Sequence, residues 1–381
     1  MGKIMFILTM CSFLLTGCGV VDDQQSPIEP VIEPIIEKSG EVKPSNSSDV
    51  KVIATYDSTI EEDSTWCPTF QLVWNDMKNE VVKQDIVFMP EQSPVAEMLN
   101  KESFTENMLS DEYYYKTFGF KTLELKKKIE KGIKDKFNET SDILNDFDWS
   151  PEALNDENNP NVSRYFFYTM LKRNFVFPKV FEKLQNGTFG SNKENTNVKY
   201  FGIERNKDNE YSDQVRVLFY DGDDAEYAVL LKTKSGDEVI LYKSPCGATF
   251  QEIYKNIQEK SNNFTGKTRL QDIDTLKVPY INIDEKETYP ELTNKQFLAA
   301  DGDVCEIAQA VQTIKFELDE KGGKIKSEAA IDMVKATAVF HEELPTPRHF
   351  NFDDTFALFL KEEGRDVPYF GAVISDITKF Q

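Results

Sequence analysis

Histidine is nearly absent from this chain: His341 and His349 are the only two in 381 residues, both within AVFHEELPTPRHFNFDD. A Ser-His-Asp or Cys-His arrangement needs an imidazole held rigidly by its neighbours, and a Pro- and Glu-rich segment offers no such platform. Catalysis is therefore not expected. His341 beside Glu342 and Glu343 reads as solvated loop residues rather than a metal site. There is no glycine-rich phosphate loop. The carboxylates of YDGDDAE and AADGDV lack the ligand spacing of a calcium loop and read as tight turns, so neither metal nor cofactor is expected. Basic residues are outnumbered, 44 Lys and Arg against 66 Asp and Glu, for a net charge of -22. That balance argues against nucleic acid as a partner and against broad adhesion to anionic lipid headgroups.

A long apolar run is also missing. Lys3 precedes IMFILTMCSFLL, too short to span a bilayer, and LTGC follows at once. Residues 1–17 read as a lipoprotein signal peptide: Thr16 and Gly17 are small enough for a signal peptidase pocket, and the Cys18 thiol is the group that takes the lipid. The expected location is the extracytoplasmic face of a cell membrane, with the lipid anchor as the membrane contact. Of five cysteines, the mature chain would keep Cys67 and two others, Cys246 and Cys305. That odd count has no metal-ligand spacing and leaves one disulfide open. Residues 18–50 repeat Ile-Glu-Pro at 28–30 and 32–34. Proline at that spacing favours an extended stalk, which could hold a domain on the order of 80 Å from the membrane.

Residues 51–381 read as one α+β domain. TFQLVWNDMKNEVV sets Phe70, Val73, Trp74, Met77 and Val81 on one helical face, TLELKKKIEKGIKDKF does so with Leu125, Ile129, Ile133 and Phe137, and TFQEIYKNIQEK forms a third amphipathic helix. Elsewhere the period is two, in YFFYTMLKRNFVF, VKYFGI, QVRVLFY, EYAVLLKT, EVILYKS, LKVPYINI, QTIKFELD and FALFLKE. Helices come first and strands follow on short turns, which is not the alternation of a Rossmann-type fold.

This order of elements resembles a serpin. YFFYTMLKRNFVF, then Phe181 and GTFG with Thr188 and Phe189, VKYFGI, the paired strands of VRVLFYDGDDAEYAVLL, the helix TFQEIYKNI and LKVPYINIDEKETYPEL follow the family's sequence of elements. The last of these would be a strand and then a helix. FNFDDTFALFLKEEGRDVPYFGAVISD resembles the family's ending, carried by Phe352, Asp354, Phe356, Leu358, Phe359, Phe370, Gly371 and Val373. The resemblance implies a serpin-like α+β fold with N-terminal helices and large mixed or antiparallel sheets. Where the family keeps a Ser-Pro segment beneath its main sheet, Ser93 and Pro94 are the loose equivalent.

The resemblance also implies a hinge and a bait loop. Glu320, Gly322 and Gly323 occupy hinge-like positions, and Ala336, Thr337, Ala338, Val339 and Phe340 bracket the candidate reactive loop. An inhibitory hinge would carry small residues that slide into the sheet after cleavage. Here Ile325, Ser327, Ala329, Ile331 and Met333 alternate with the charged Lys324, Lys326, Glu328 and Asp332. That period suits a half-buried strand, whereas a free loop would forfeit roughly 1.5 to 3 kcal/mol of burial for each large apolar side chain. The expectation is a hairpin turning at Lys321, Gly322 and Gly323, with the loop strand already inserted. The leading function is a non-inhibitory binding or structural module. The alternative is an inhibitor of an extracellular serine or cysteine protease cut near 336–340. A third class, a solute-binding lipoprotein, would need two lobes, and no lobe boundary is marked.

Overall fold

Apolar side chains three and four residues apart commit four segments to helix. In the computed structural model, which describes residues 50–158, 162–190, 195–206, 209–324 and 346–381, α1 is Thr69–Asp76. It runs on into a π-helical turn, Met77–Val82, that stops at left-handed Lys83. The short α2, Pro94–Asn100, places proline in its first turn, where no N–H is needed. In α3, Leu123–Phe137, the Thr122 hydroxyl accepts from the Leu125 N–H at the start, left-handed Asn138 ends the helix, and Leu125, Ile129 and Ile133 are buried. In α4, Phe250–Asn263, Thr249 caps in the same way, and Phe250, Ile253, Tyr254 and Ile257 are buried.

The largest sheet has seven strands. Their order is Lys51–Ile53, Ser64–Trp66, Phe370–Ile374, Phe356–Glu362, Asp237–Lys243, Tyr227–Lys232 and Val215–Tyr220. The chain's last two strands lie inside it, paired from Phe356↔Ile374 to Leu360↔Phe370. Their apolar run is therefore core: Phe356, Leu358, Phe359 and Ile374 are fully buried. A separate four-stranded sheet of His349–Asn351, Thr275–Pro279, Tyr200–Ile203 and Glu182–Lys183 shares its apolar core, with the Phe350 ring against Tyr220 and Tyr227.

Eight further strands build the region of interest. β1 (Tyr114–Phe120) pairs antiparallel with β2 (Tyr165–Leu171), and β3 (Phe175–Val176) follows shortly after. β4 (Ile281–Thr288) pairs along its full length with β7 (Val311–Leu318). Between them the chain forms a small hairpin of β5 (Gln296–Leu298) and β6 (Val304–Glu306). β8 (Gly322–Lys324) pairs with β7 on one side and with β3 on the other.

Two expectations are corrected here. LKVPYINIDEKETYPEL does not end in a helix, because strand pairing continues through Thr288 and leaves only a three-residue 3-10 turn, Pro290–Leu292. The hairpin after β7 turns one step earlier than Lys321, Gly322 and Gly323. The Asp319 carboxylate accepts the N–H groups of Lys321 (2.8 Å) and Gly322 (3.1 Å), closing the turn locally. Gly322 and Gly323 thereby become strand residues.

Candidate functional site

β2 and β7 face one another across a cleft of about 1390 Å³. β1 occupies one edge of β2 and β4 one edge of β7. Among the described residues, the edges facing the cleft are paired only at one end, where β8 bridges β7 to β3. An unpaired strand edge presents a row of N–H and C=O groups that can accept another strand.

The two faces of the cleft are distinct. On one side, α3 and the segment after it cover Phe166 and Tyr168 of β2 in a cluster with Leu125, Ile129, Ile133 and Leu144. That segment is tied across the gap by Asp142 to Lys315 (3.2 Å) and Asp146 to Lys286 (2.9 Å). On the other side lies α1, reached from β1 by Lys116, which binds Asp76 at 2.6 Å. Even-numbered residues of β7 point that way: Gln312, Ile314, Phe316 and Leu318 are buried, while Lys315 and Glu317 are exposed.

A polar latch joins β7 to the start of α1. The Gln312 amide donates to the Cys67 carbonyl (2.9 Å) and to the Thr69 hydroxyl (3.0 Å), and its oxygen accepts the Tyr289 hydroxyl (2.7 Å). Burial drives the Tyr289 phenol well above its ordinary value and the Cys67 thiol up to about 11. Across the cleft, the buried Thr169 hydroxyl has no hydrogen-bond partner among the described residues. Sequence reasoning did not single out Gln312. Its signal was a polar side chain in the inward phase of VQTIKFEL, in step with Ile314 and Phe316. The position beneath the strands expected for Ser93 and Pro94 is taken by Cys67, Pro68 and Thr69. Ser93 instead starts α2, in the neighbourhood of a separate apolar cluster that contains Phe88 and Phe297.

The hinge-like residues come together at the end of β7. Glu320 turns inward and is buried. It accepts the Tyr280 hydroxyl at 2.6 Å and faces the Lys183 ammonium at 3.4 Å, while its carbonyl receives the Phe181 N–H. Burial alone would raise its pKa, but these partners outweigh it and hold the carboxyl below its ordinary value. Gly322 and Gly323 lie flat against β3. Cys18, the stalk, His341, the run from Ile325 to Met333 and the candidate reactive loop Ala336 to Phe340 fall outside the described residues. His349 instead bonds Thr275 through Nδ1 at 2.9 Å, and Cys67, Cys246 and Cys305 are all unbridged.

No protein-family model matches the chain, and no curated protein sequence does. Among solved structures it is similar to Serpin48, a highly specific serpin of the insect Tenebrio molitor, with 13% identity over 82% of this chain and 91% of that one and a TM-score of 0.44. It is similar to the thermophilic serpin Tengpin in its native state, with 12% identity over 84% of this chain and 90% of that one and a TM-score of 0.49. It is similar to thyroxine-binding globulin in complex with thyroxine, with 12% identity over 84% of this chain and 94% of that one and a TM-score of 0.42. The fold itself is α+β, with few helices and several mixed or antiparallel sheets, and its likeness to serpins is a resemblance. At these identities the likeness concerns the fold, and what those proteins inhibit or bind belongs to them. In the chain itself, the candidate site consists of the two cleft edges, the Gln312 latch and the bridge made by β8.

Proposed function

We propose that this serpin-like protein is a lipid-anchored, non-inhibitory binding module on the extracytoplasmic face of a membrane, and that residues 325–333 fill the cleft between β2 and β7 as a resident strand. The observation that carries this reading is the double pairing of β8. Glu317 pairs with Lys324, and Gly323 pairs with both Leu318 and Phe175. If the two registers of β8 continued, Ile325 would lie beside Phe316, Ser327 between Ile314 and Leu171, Ala329 between Gln312 and Thr169, and Met333 beside Tyr165.

Those positions share one phase. The odd residues of the segment would join the inward residues of β7, where Ile314 and Phe316 are buried, and the charged even residues would face the opposite side. The smallest of them, Ala329, would cover the Gln312 latch. A slip of one residue would turn Lys326 and Glu328 inward, so the register is strongly specified. From Met333 to Phe352 the chain has 19 residues, enough to span roughly 60 Å when extended. A filled cleft would leave no slot for a cleaved loop, which favours a binding or structural role over inhibition.

The second reading, an inhibitor with its bait among Ala336, Thr337, Ala338, Val339 and Phe340, draws support from the cleft itself, since strand edges open on two sides could accept a strand after cleavage. One experiment separates the two. Residues 47–381 form one compact unit that holds every buried side chain of the three apolar clusters. That unit is incubated with elastase, chymotrypsin, trypsin and subtilisin and followed on denaturing gels and by thermal melting. Resistance, or nicking without change in melting, is the expected result. A denaturant-resistant covalent complex, or a large rise in melting temperature after cleavage near 336–340, would refute the resident strand.

A further inference from the structure

Nine large apolar side chains are exposed among the described residues, and seven of them fall into two patches. The first lies at the open end of the β1–β2 ribbon. Phe120 and Tyr165 are directly paired across the strands, with ring centroids 4.8 Å apart, and are 48% and 40% exposed. Leu123 and Val162 extend that patch. The second patch lies on the outer face of the β5–β6 hairpin. Leu298 pairs with Val304, at 42% and 61% exposure. Continuing the single bridge between Met89 and Gln296 brings Val87 beside Leu298, so three apolar side chains cross three adjoining segments in a row. Burying such rows is favourable, and contiguous exposed apolar surface marks an interaction site more often than scattered residues do.

The patches border the same cleft from opposite banks. Val162 and Tyr165 line one bank with Lys121 and Arg164, and Val304 lines the other with Asp301, Asp303 and Glu306. None of these five charged side chains forms an ion pair among the described residues, although Lys121 lies over the Trp149 ring and feels Asp148. Asp301 accepts the Asp303 N–H and so shapes the hairpin turn. One bank is therefore apolar with a cationic rim, and the other is apolar with an anionic rim.

We infer that the mouth of this cleft is the interface of a symmetric dimer, in which a two-fold axis lays the cationic bank of each copy on the anionic bank of its partner. A two-fold contact must be self-complementary, and two adjoining patches of opposite sign meet that condition, each copy giving and receiving the contact once so that it forms twice in the dimer. Aromatic and aliphatic side chains form the centre, and the charges form the rim and set the orientation. The resident strand is not required for this contact, which uses the outer ends of the ribbon and the hairpin.

Sedimentation equilibrium of the unit from Ser47 onward, over a wide concentration range, tests the interface. The expected result is a reversible transition from one chain to two. Tyr165→Ser with Val304→Ser, both at exposed positions, should weaken the dimer at least about tenfold, with unchanged circular dichroism and melting. Arg164→Glu should also weaken it. Adding Asp303→Arg to Arg164→Glu should restore it, a recovery that general destabilisation cannot produce. A single chain at every concentration, a dimer indifferent to the apolar pair, or a double charge variant no tighter than Arg164→Glu alone would each overturn the interface.

Discussion

Replacing Gly322 by alanine should cost far more than a glycine in a three-residue strand suggests. Gly322 has φ 151°, and an added Cβ would lie 2.2 Å from the Phe175 carbonyl oxygen and 2.7 Å from the Val176 Cα, both backbone atoms that cannot swing aside. The strained conformation alone costs of order 1 to 3 kcal/mol. Relieving the clash means moving β8 away from β3, which gives up the Gly322↔Val176 and Gly323↔Phe175 pairs at about 0.5 to 1.5 kcal/mol per hydrogen bond. The sum over the strain and two hydrogen bonds is about 2 to 6 kcal/mol. Gly236→Ala is the control: its φ is 78° and no atom lies within 4 Å of the added Cβ, so it carries the backbone cost alone, about 1 to 2 kcal/mol. Urea midpoints of both variants should show Gly322→Ala clearly the weaker, with similar slopes. Because β8 leads into residues 325–333, nicking by elastase at 336–340 should also quicken in Gly322→Ala and not in Gly236→Ala. Equal midpoints and equal nicking would refute the claim that β8 is wedged between β7 and β3 and directs the following segment.

Three further outcomes follow from the same geometry. Gln312→Ala leaves the Tyr289 hydroxyl and the Cys67 carbonyl without their partner and should cost about 2 to 4 kcal/mol by chemical denaturation; combining it with Tyr289→Phe should cost less than the two singles together, since they share one hydrogen bond. Asp237→Ala removes the fully buried carboxylate that accepts from Arg173 (3.0 Å) and Tyr369 (2.7 Å), so the stranded guanidinium should lower stability by about 3 to 5 kcal/mol, and a loss below 1 kcal/mol would show that the pair contributes little. For Glu320, whose folded pKa is lowered, the stabilisation is present above an ordinary glutamate's value of about 4.3 and disappears as the pH falls through the lower folded value. In a comparison of melting at pH 7 and pH 3, Tyr280→Phe should flatten that acid-side loss, and an unchanged acid slope would count against the assignment.

How much of this was legible beforehand depends on the range of the interaction concerned. Helix phase is a local property. The 3.6-residue spacing of Leu125, Ile129 and Ile133 identified a helix and its buried face, and Thr122 and Asn138 supply the side-chain cap and left-handed stop that bound it. Alternation likewise marked β7, which carries its own inward phase, whereas FALFLKE forms a strand buried on both faces. Turn chemistry was misread at Asp319: glycine permits a turn, but the aspartate carboxylate closed it, and the glycines were spent on the close approach to Phe175. The helix expected at KETYPEL failed for a similar reason, since pairing with β7 outcompeted local helical preference as far as Thr288.

What the sequence determined by itself was therefore the type of most elements and the inward phase of the amphipathic ones, written in neighbours a few residues apart, and the order of elements that resembles serpins. Which edges stay open, which residue latches β7 to α1 and which banks carry opposite charge involve partners far apart in the chain. Gln312 meets Cys67 across 245 positions, and no spacing rule reaches that far. Those features exist only once the strands are side by side, because a pairing edge is a property of two strands and not of one.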